Sequence, residues 1–296
     1  MNKPGSTATI QLCTNTFDGK PVADTPAQIL EVADQAAIAG GEELVRLFER
    51  ASIQHPSGIQ QKSSSFNLVT DADIASEQAV IKVIKSQFPD HTILGEESGE
   101  QRVTEAVNSE KLWVIDPLDV TNNFIHCLPH FAVSVAYAER GVIKAGVVLN
   151  PLTGEKFSAV AGGGANRNGR PIHVSEAADL NESLVGVGFY YDRAAQMKNT
   201  LTAIESCFEN QIHGIRRLGT ASLDLCNVAC GRFGAYFEFE LAPWDFAAGW
   251  LMVEEAGGQV TDCLGNPLQI KNSSMLASNR KLHHSMIPIT SKNFES

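Results

Sequence analysis

Acidic residues stand at the ends of apolar runs in three places along this chain. Gly95-Glu96-Glu97-Ser98 follows Ile93-Leu94, Asp116-Pro117-Leu118-Asp119 follows Leu112-Trp113-Val114-Ile115, and Trp244-Asp245 opens an apolar helical stripe. Carboxylates gathered from separate segments coexist only when a cation or a proton neutralises them. Hard divalent cations such as Mg²⁺ take oxygen ligands, a few carboxylates with substrate phosphate and water completing the shell. Val120-Thr121-Asn122-Asn123-Phe124 places hydroxyl and amide groups directly behind the second cluster. A fold that joins these segments is constrained at three distant points, and it points to metal-assisted phosphate chemistry.

Taken one at a time, the clusters allow plainer readings. Asp116 is expected at the carboxyl end of a strand, with Pro117 turning the chain out of it and Asp119 near the start of a short helix. Such a turn can aim Asp116, Asp119 and the Leu118 carbonyl at one point. The amides of residues 120 and 121 then lie at a helix N-terminus, where unpaired N–H groups favour phosphate. Asp, Pro and Asn also favour turns with no ligand at all. Glu96 and Glu97 alone read as an exposed acidic turn, and Asp245 alone as an N-cap.

The 296 residues suit one large or two closely packed domains, and a 43% apolar share supplies a sizeable core. A net charge of −11 without a Lys/Arg run argues against a general nucleic-acid binder. It leaves a phosphorylated substrate open, because bound cations invert the charge locally. The six cysteines form no CxxC pair and read as buried thiols. With no apolar leader and no stretch of about 18–20 apolar residues, a soluble cytoplasmic protein is expected.

Residues 1–24 read as a flexible leader. A helix capped by Thr25-Pro26 should run to about residue 51, kinked at Gly40-Gly41, and one capped by Thr70 should span 72–88 with Ile74, Val80 and Ile84 on its apolar face. Strands follow over 131–137, 142–149 and 157–161. Beyond them, strands near 184–188, 215–218, 234–239 and 258–262 alternate with helices over 193–208, 221–231 and 245–256. His283-His284 reads as an exposed pair. The pattern is an α+β half over 25–170, carrying most of the acids, and an α/β half over 171–296 that completes the site.

Together the segments resemble the inositol monophosphatase family, within the lithium-sensitive, Mg²⁺-dependent phosphatases. One signature, Trp-Val-Ile-Asp-Pro-Leu/Ile-Asp-Gly-Thr-x-Asn-Phe-x-His, stands at Trp113 to His126. The other, Trp-Asp-x-Ala-Ala-Gly with Glu-Ala-Gly-Gly, stands at Trp244 to Gly249 and Glu255 to Gly258. The resemblance implies a layered αβαβα sandwich of the inositol monophosphatase / fructose-1,6-bisphosphatase type and a homodimer. It implies two or three Mg²⁺ ions, held by Glu96, Asp116, the Leu118 carbonyl, Asp119 and Asp245, with Asp116 bridging. Asp73 and Thr121 match the pair that orients the attacking water, Lys62 a basic residue near the site, and Glu238 and Ala221 substrate contacts. Val120 replaces the family's Gly. Its N–H would still serve phosphate in a helical backbone, but its β-branched side chain resists positive φ and crowds the anion.

The expected activity is hydrolysis of a small phosphorylated polyol, foremost inositol monophosphate, by metal-activated water. Runner-up substrates are histidinol phosphate, a nucleoside 3′,5′-bisphosphate and fructose 1,6-bisphosphate. The rival from another class is a catalytically weakened homologue that acts as a regulatory binding protein.

Overall fold

The computed structural model describes residues 24–54, 60–61, 68–69, 71–99, 106, 108–190 and 195–292. Cys13, Lys62, Thr70 and residues 1–23 of the expected leader lie outside the described residues. Asp24 lies within them and forms an ion pair with Lys111.

Helix α1 (Pro26–Gln54) is followed by a short antiparallel pair, β1 (Gln60–Gln61) and β2 (Leu68–Val69), and by α2 (Asp71–Gln87). Next come β3 (Thr92–Gly95), the single turn α3 (Glu96–Gly99) and β4 (Lys111–Asp119). After α4 (Thr121–Ile125), strands β5 (Ala132–Glu139), β6 (Val142–Asn150), β7 (Glu155–Val160), β8 (Gly164–Arg167) and β9 (Arg170–Pro171) continue the sheet. The sheet has seven strands, β3 to β9 in chain order; β3 and β4 are parallel and the rest antiparallel.

Leu112-Trp113-Val114-Ile115 is apolar at every position because both faces of β4 are covered. Trp113 and Ile115 pack with Ile29, Val32, Leu44, Val80 and Ile84 under α1 and α2. Leu112 and Val114 face a second core containing Leu225, Phe246 and Leu251.

The remaining chain comprises β10 (Leu184–Val187), α5 (Ala195–Glu209), β11 (Gly214–Arg216), α6 (Ala221–Ala229), β12 (Ala235–Leu241), α7 (Pro243–Glu255), β13 (Gly258–Thr261), β14 (Ser273–Asn279) and α8 (Arg280–Ser291). Its strands form a five-stranded sheet ordered β11-β10-β12-β14-β13. Helices α6 and α7 fill the space between the sheets, and α5 and α8 cover the far face with Val187, Phe237, Leu276, Leu282 and Met286. From α1/α2 outward the order is α, β, α, β, α, the layered sandwich that the family resemblance implies.

Local expectations needed correcting. The two glycines of α1 lie within one continuous helix, at a close approach: a Cβ on Gly40 would lie 2.7 Å from Ser76 Oγ and 2.8 Å from Val80 Cγ2. Ile74 is exposed, and the buried face of α2 is half polar, Asp73, Ser76 and Glu77 alongside Ala72, Val80 and Ile84. Strand β14 and helix α8 were not anticipated, because Ser273–Asn279 has a short apolar centre and α8 carries Pro288 internally. Its start is fixed by Asn279, whose side chain accepts a hydrogen bond from Leu282 N at 2.8 Å. His283 is buried on this helix, with ring nitrogens 2.8 Å from Ser278 Oγ and 3.0 Å from Thr261 Oγ1. Only His284 of that pair is exposed.

Candidate active site

Pro117 does not end its strand. β4 continues to Asp119 through a bulge: Asp116 pairs with Ser134 and Asp119 with Ala132, so three steps on β4 match two on β5. In a regular strand, residues an odd number apart point to opposite faces. The inserted residue brings Asp116 and Asp119 to the same side. Asp116 is held from behind, its Oδ1 accepting a hydrogen bond from Leu118 N at 3.0 Å.

The other acids arrive from element ends. Glu96 is the first residue after β3, as expected for a carboxylate leaving a strand. Asp245 is not the N-cap of its helix. Ala242 takes that place, and Asp245 sits three residues in, with Oδ2 accepting from Ala242 N at 2.7 Å. Asp119 Oδ2 likewise accepts from Ser222 N at 2.7 Å and Ser222 Oγ at 2.5 Å, in the first turn of α6. Each of these two carboxylates therefore has a second oxygen outside those hydrogen bonds.

Glu96, Asp116, Leu118, Asp119 and Asp245 line one cleft of about 200 Å³ together with Val120, Thr121, Arg217, Ala221 and Glu238. Burial raises Asp116 well above the usual carboxylate range, and the charges of Glu96, Asp119, Asp245 and Asp73 add to it. Burial also raises Asp119 to about 6, against the hydrogen bonds from Ser222. Asp245 is raised well above its ordinary range by burial and then by Asp119. Among the described residues, no three His, Cys, Asp or Glu side chains are already drawn into one ligating group. The acids share a cleft and repel one another. Oxygen donors of this kind fit a hard divalent cation and disfavour a soft one.

Asp73 stands behind this cleft. It is buried, and its Oδ1 accepts from Thr121 Oγ1 at 3.3 Å. Glu238 is buried on β12, where Tyr236 O–H donates to its Oε2 at 2.6 Å. Burial raises it to about 7, with Tyr236 and Arg217 acting in the opposite sense. Gly188 makes room for it, since a Cβ at that position would collide with the Glu238 carboxylate.

Val120 adopts φ 73° and ψ 65°, the left-handed region, rather than the helical backbone that would spare its amide contact. For a β-branched residue this conformation is an outlier costing roughly 1–2 kcal/mol. Its surroundings over-determine it. Asp119 before it is tied to Ser222, and Asn123 after it donates from Nδ2 to His130 O at 2.8 Å and Leu218 O at 2.9 Å. The Val120 isopropyl group occupies the cleft wall against Gly219.

The sequence did not point to Ser222, Glu240 or Asn272, and it reached Gly188, Phe189, Tyr190 and Arg217 only as parts of specificity loops around 186–193 and 214–221; all of these but Ser222 and Gly188 line the cleft. The available signal was Arg217, a cation beside a Gly-Thr-Ala turn in an otherwise acidic constellation. Neither His126 nor His130 lines this cleft.

The inositol monophosphatase family model matches residues 25–294. The chain is 40% identical over 260 residues to the inositol-1-monophosphatase of Synechocystis, covering 87% of this chain and 86% of that protein. It is also 40% identical over 261 residues to the Nus factor SuhB of Pseudomonas aeruginosa, covering 88% of this chain and 94% of that one. The solved structure of inositol monophosphatase from Anabaena (Nostoc) superposes with a TM-score of 0.78 at 37% identity, covering 90% of this chain and 97% of that one.

Proposed function

We propose that this chain, which belongs to the inositol monophosphatase family, is a Mg²⁺-dependent phosphomonoesterase acting on a small phosphorylated polyol, foremost inositol monophosphate. The observation that carries the proposal is the shared cleft, where four acids from remote segments meet the Leu118 backbone, with the Asp73–Thr121 pair adjoining it.

Glu96, Asp116, the Leu118 carbonyl, Asp119 and Asp245 would hold the cations, with Asp116 central because it interacts with all three other acids. When bound, Mg²⁺ neutralises phosphate oxygens and lowers the pKa of water. Thr121 Oγ1–H donates a hydrogen bond to Asp73, so the oxygen's lone pairs remain to accept from the attacking water and fix its direction. The amides of Val120 and Thr121, at the start of α4, would face the phosphate. Glu238 and the Ala221 backbone hold hydroxyls of the leaving alcohol. Lithium sensitivity, a homodimer in solution and a cytoplasmic location belong to the same reading. Among the described residues no helix is long and apolar enough to cross a membrane.

The experiment is phosphate release from inositol 1-phosphate, histidinol phosphate, adenosine 3′,5′-bisphosphate and fructose 1,6-bisphosphate, each with Mg²⁺ and with EDTA. Mg²⁺-dependent turnover, fastest on inositol 1-phosphate, is expected. A second reading, a regulatory binding protein, draws on the relative named a Nus factor and on the strained Val120. Metal binding without turnover on any substrate would favour it.

Val120→Gly should raise kcat/KM by about tenfold by clearing the anion approach, which corresponds to about 1.4 kcal/mol. Relief of left-handed strain offsets the extra chain entropy of Gly, leaving Tm within a few degrees. Unchanged or lower kcat/KM would show that the isopropyl group does not obstruct phosphate.

A further inference from the structure

His130 lines a second cavity, of about 480 Å³, that lies apart from the catalytic cleft. Asn150, Glu155, Asn168, Leu218 and Arg232 also form its wall, and the two cavities share no lining residue. The polar groups here are chiefly hydrogen-bond donors. Asn150, at the end of β6, is 5% exposed, and its Oδ1 accepts from Leu152 N and Thr153 N at 3.1 and 3.2 Å. That leaves its Nδ2 without a partner among the described residues. Asn168, in the turn between β8 and β9, likewise accepts from Lys156 N at 2.8 Å and keeps its Nδ2 unpaired. The carboxylate in the wall is already spent. Both oxygens of Glu155 accept from Arg232, at 2.6 and 2.9 Å, and Arg167 lies 3.7 Å from the same group. Two guanidinium groups thus share one carboxylate, which leaves an excess of positive charge beside the unspent amide donors.

We propose that this cavity is a second binding site of the chain, taking the phosphate oxyanion of inorganic phosphate or of a phosphate ester. An amide N–H₂ held in a concave wall gains most from a ligand that brings several acceptors, and an oxyanion adds the charge that the arginines favour. The site goes beyond the hydrolase reading and does not depend on it. It is nevertheless joined to the catalytic side. Asn123 Nδ2 donates to His130 O at 2.8 Å and to Leu218 O at 2.9 Å, so two residues of the cavity wall anchor the segment behind Val120 and Thr121. Leu223 and Asn227 line the cavity from α6, while Ala221 of that helix lines the cleft and Ser222 holds Asp119. A ligand here therefore braces the elements that place Val120, Thr121 and Asp119.

The test is isothermal titration calorimetry of the full, metal-free chain in EDTA, where the catalytic acids have no cation through which to bind phosphate. Wild type, Asn150→Asp and Asn168→Asp are each titrated with inorganic phosphate, glucose 6-phosphate and glucose. Both substitutions keep the oxygen that accepts from the backbone and replace the N–H₂ donor with a repelling carboxylate oxygen. Asn168 is exposed in its turn, so its variant carries the test should Asn150→Asp fail to fold, and thermal melts check both. Saturable binding of one phosphate per chain is expected for wild type. A hydrogen bond to a charged group is worth about 10- to 100-fold, so each variant should weaken phosphate binding at least about tenfold. Tighter binding of glucose 6-phosphate than of inorganic phosphate would assign the site to esters, and the reverse to free phosphate. The site is overturned by absence of saturable phosphate binding, by unchanged affinity in a folded variant, or by glucose binding as tightly as its phosphate.

Discussion

Asp116→Asn is expected to abolish Mg²⁺-dependent phosphate release, by at least about 10³-fold, while making the metal-free protein more stable. Removing a single preorganised electrostatic contact in an active site costs about 10²–10³ in kcat, and Asp116 is the acid on which Glu96, Asp119, Asp245 and Asp73 all act. Without cations the same position is a liability. The carboxylate is buried and is pushed far above its ordinary range by desolvation and like charge. Asn keeps the shape and keeps an oxygen to accept from Leu118 N. Relief of a few kcal/mol corresponds to several degrees in Tm for a chain of this size. Thermal melts in EDTA and steady-state kinetics in Mg²⁺ check the two halves independently. Activity above about one-tenth of wild type would remove Asp116 from the centre of the site. A lower Tm in EDTA would mean that the acids of the apo cleft are not in mutual repulsion.

The layers and most residues of the candidate cleft were legible through the two family signatures, with the apolar runs beside them in support. Leu112 to Ile115 is unbroken because β4 is buried on both faces, and each acidic cluster directly follows or opens such an element. What the sequence concealed was geometry that arises from pairing. The bulge between Asp116 and Asp119 depends on the register with β5, and Pro117 suggested instead that the strand stops. Asp73, Ser76 and Glu77 share the buried side of α2 with Ala72, Val80 and Ile84, so an apolar-face reading misplaced Ile74. Ser222 and Gly188 act on carboxylates 103 and 50 residues away in the chain, on Asp119 and Glu238, and no local pattern announces either contact. Val120 is the reverse case. Its departure from the family's Gly was visible in the sequence, and the left-handed backbone supplies the reason a Gly belongs there.

Metal-free protein should lose stability as pH rises from about 6.5 to 8, and Mg²⁺ should restore it most at the upper end. Glu238 is raised from 4.5 to about 7, and Asp116 and Asp245 are held well above 3.8, chiefly by burial. An acid whose pKa is higher folded than unfolded binds more protons in the folded state. Stability is therefore lost as pH rises through the folded pKa. Over its full passage Glu238 alone corresponds to on the order of 3 kcal/mol. Below pH 6.5 buried His91 and His283 and half-buried His130 act in the opposite sense, since desolvation lowers each below 6.5. The acid signature is consequently clean only above that value. Cations bind the deprotonated carboxylates, so their stabilisation grows as those protons leave. Melts at pH 6.5, 7.2 and 8.0, values spanning about the window in which a group near 7 titrates, would be run in EDTA and in saturating Mg²⁺. Tm in EDTA should fall with pH, and the Mg²⁺-induced rise should be largest at the highest pH. Glu238→Gln should flatten the EDTA slope near neutrality and leave the Mg²⁺-induced rise in place, because in the proposed site Glu238 serves the leaving alcohol rather than the cations. A Mg²⁺ effect independent of pH would separate cation binding from these carboxylates.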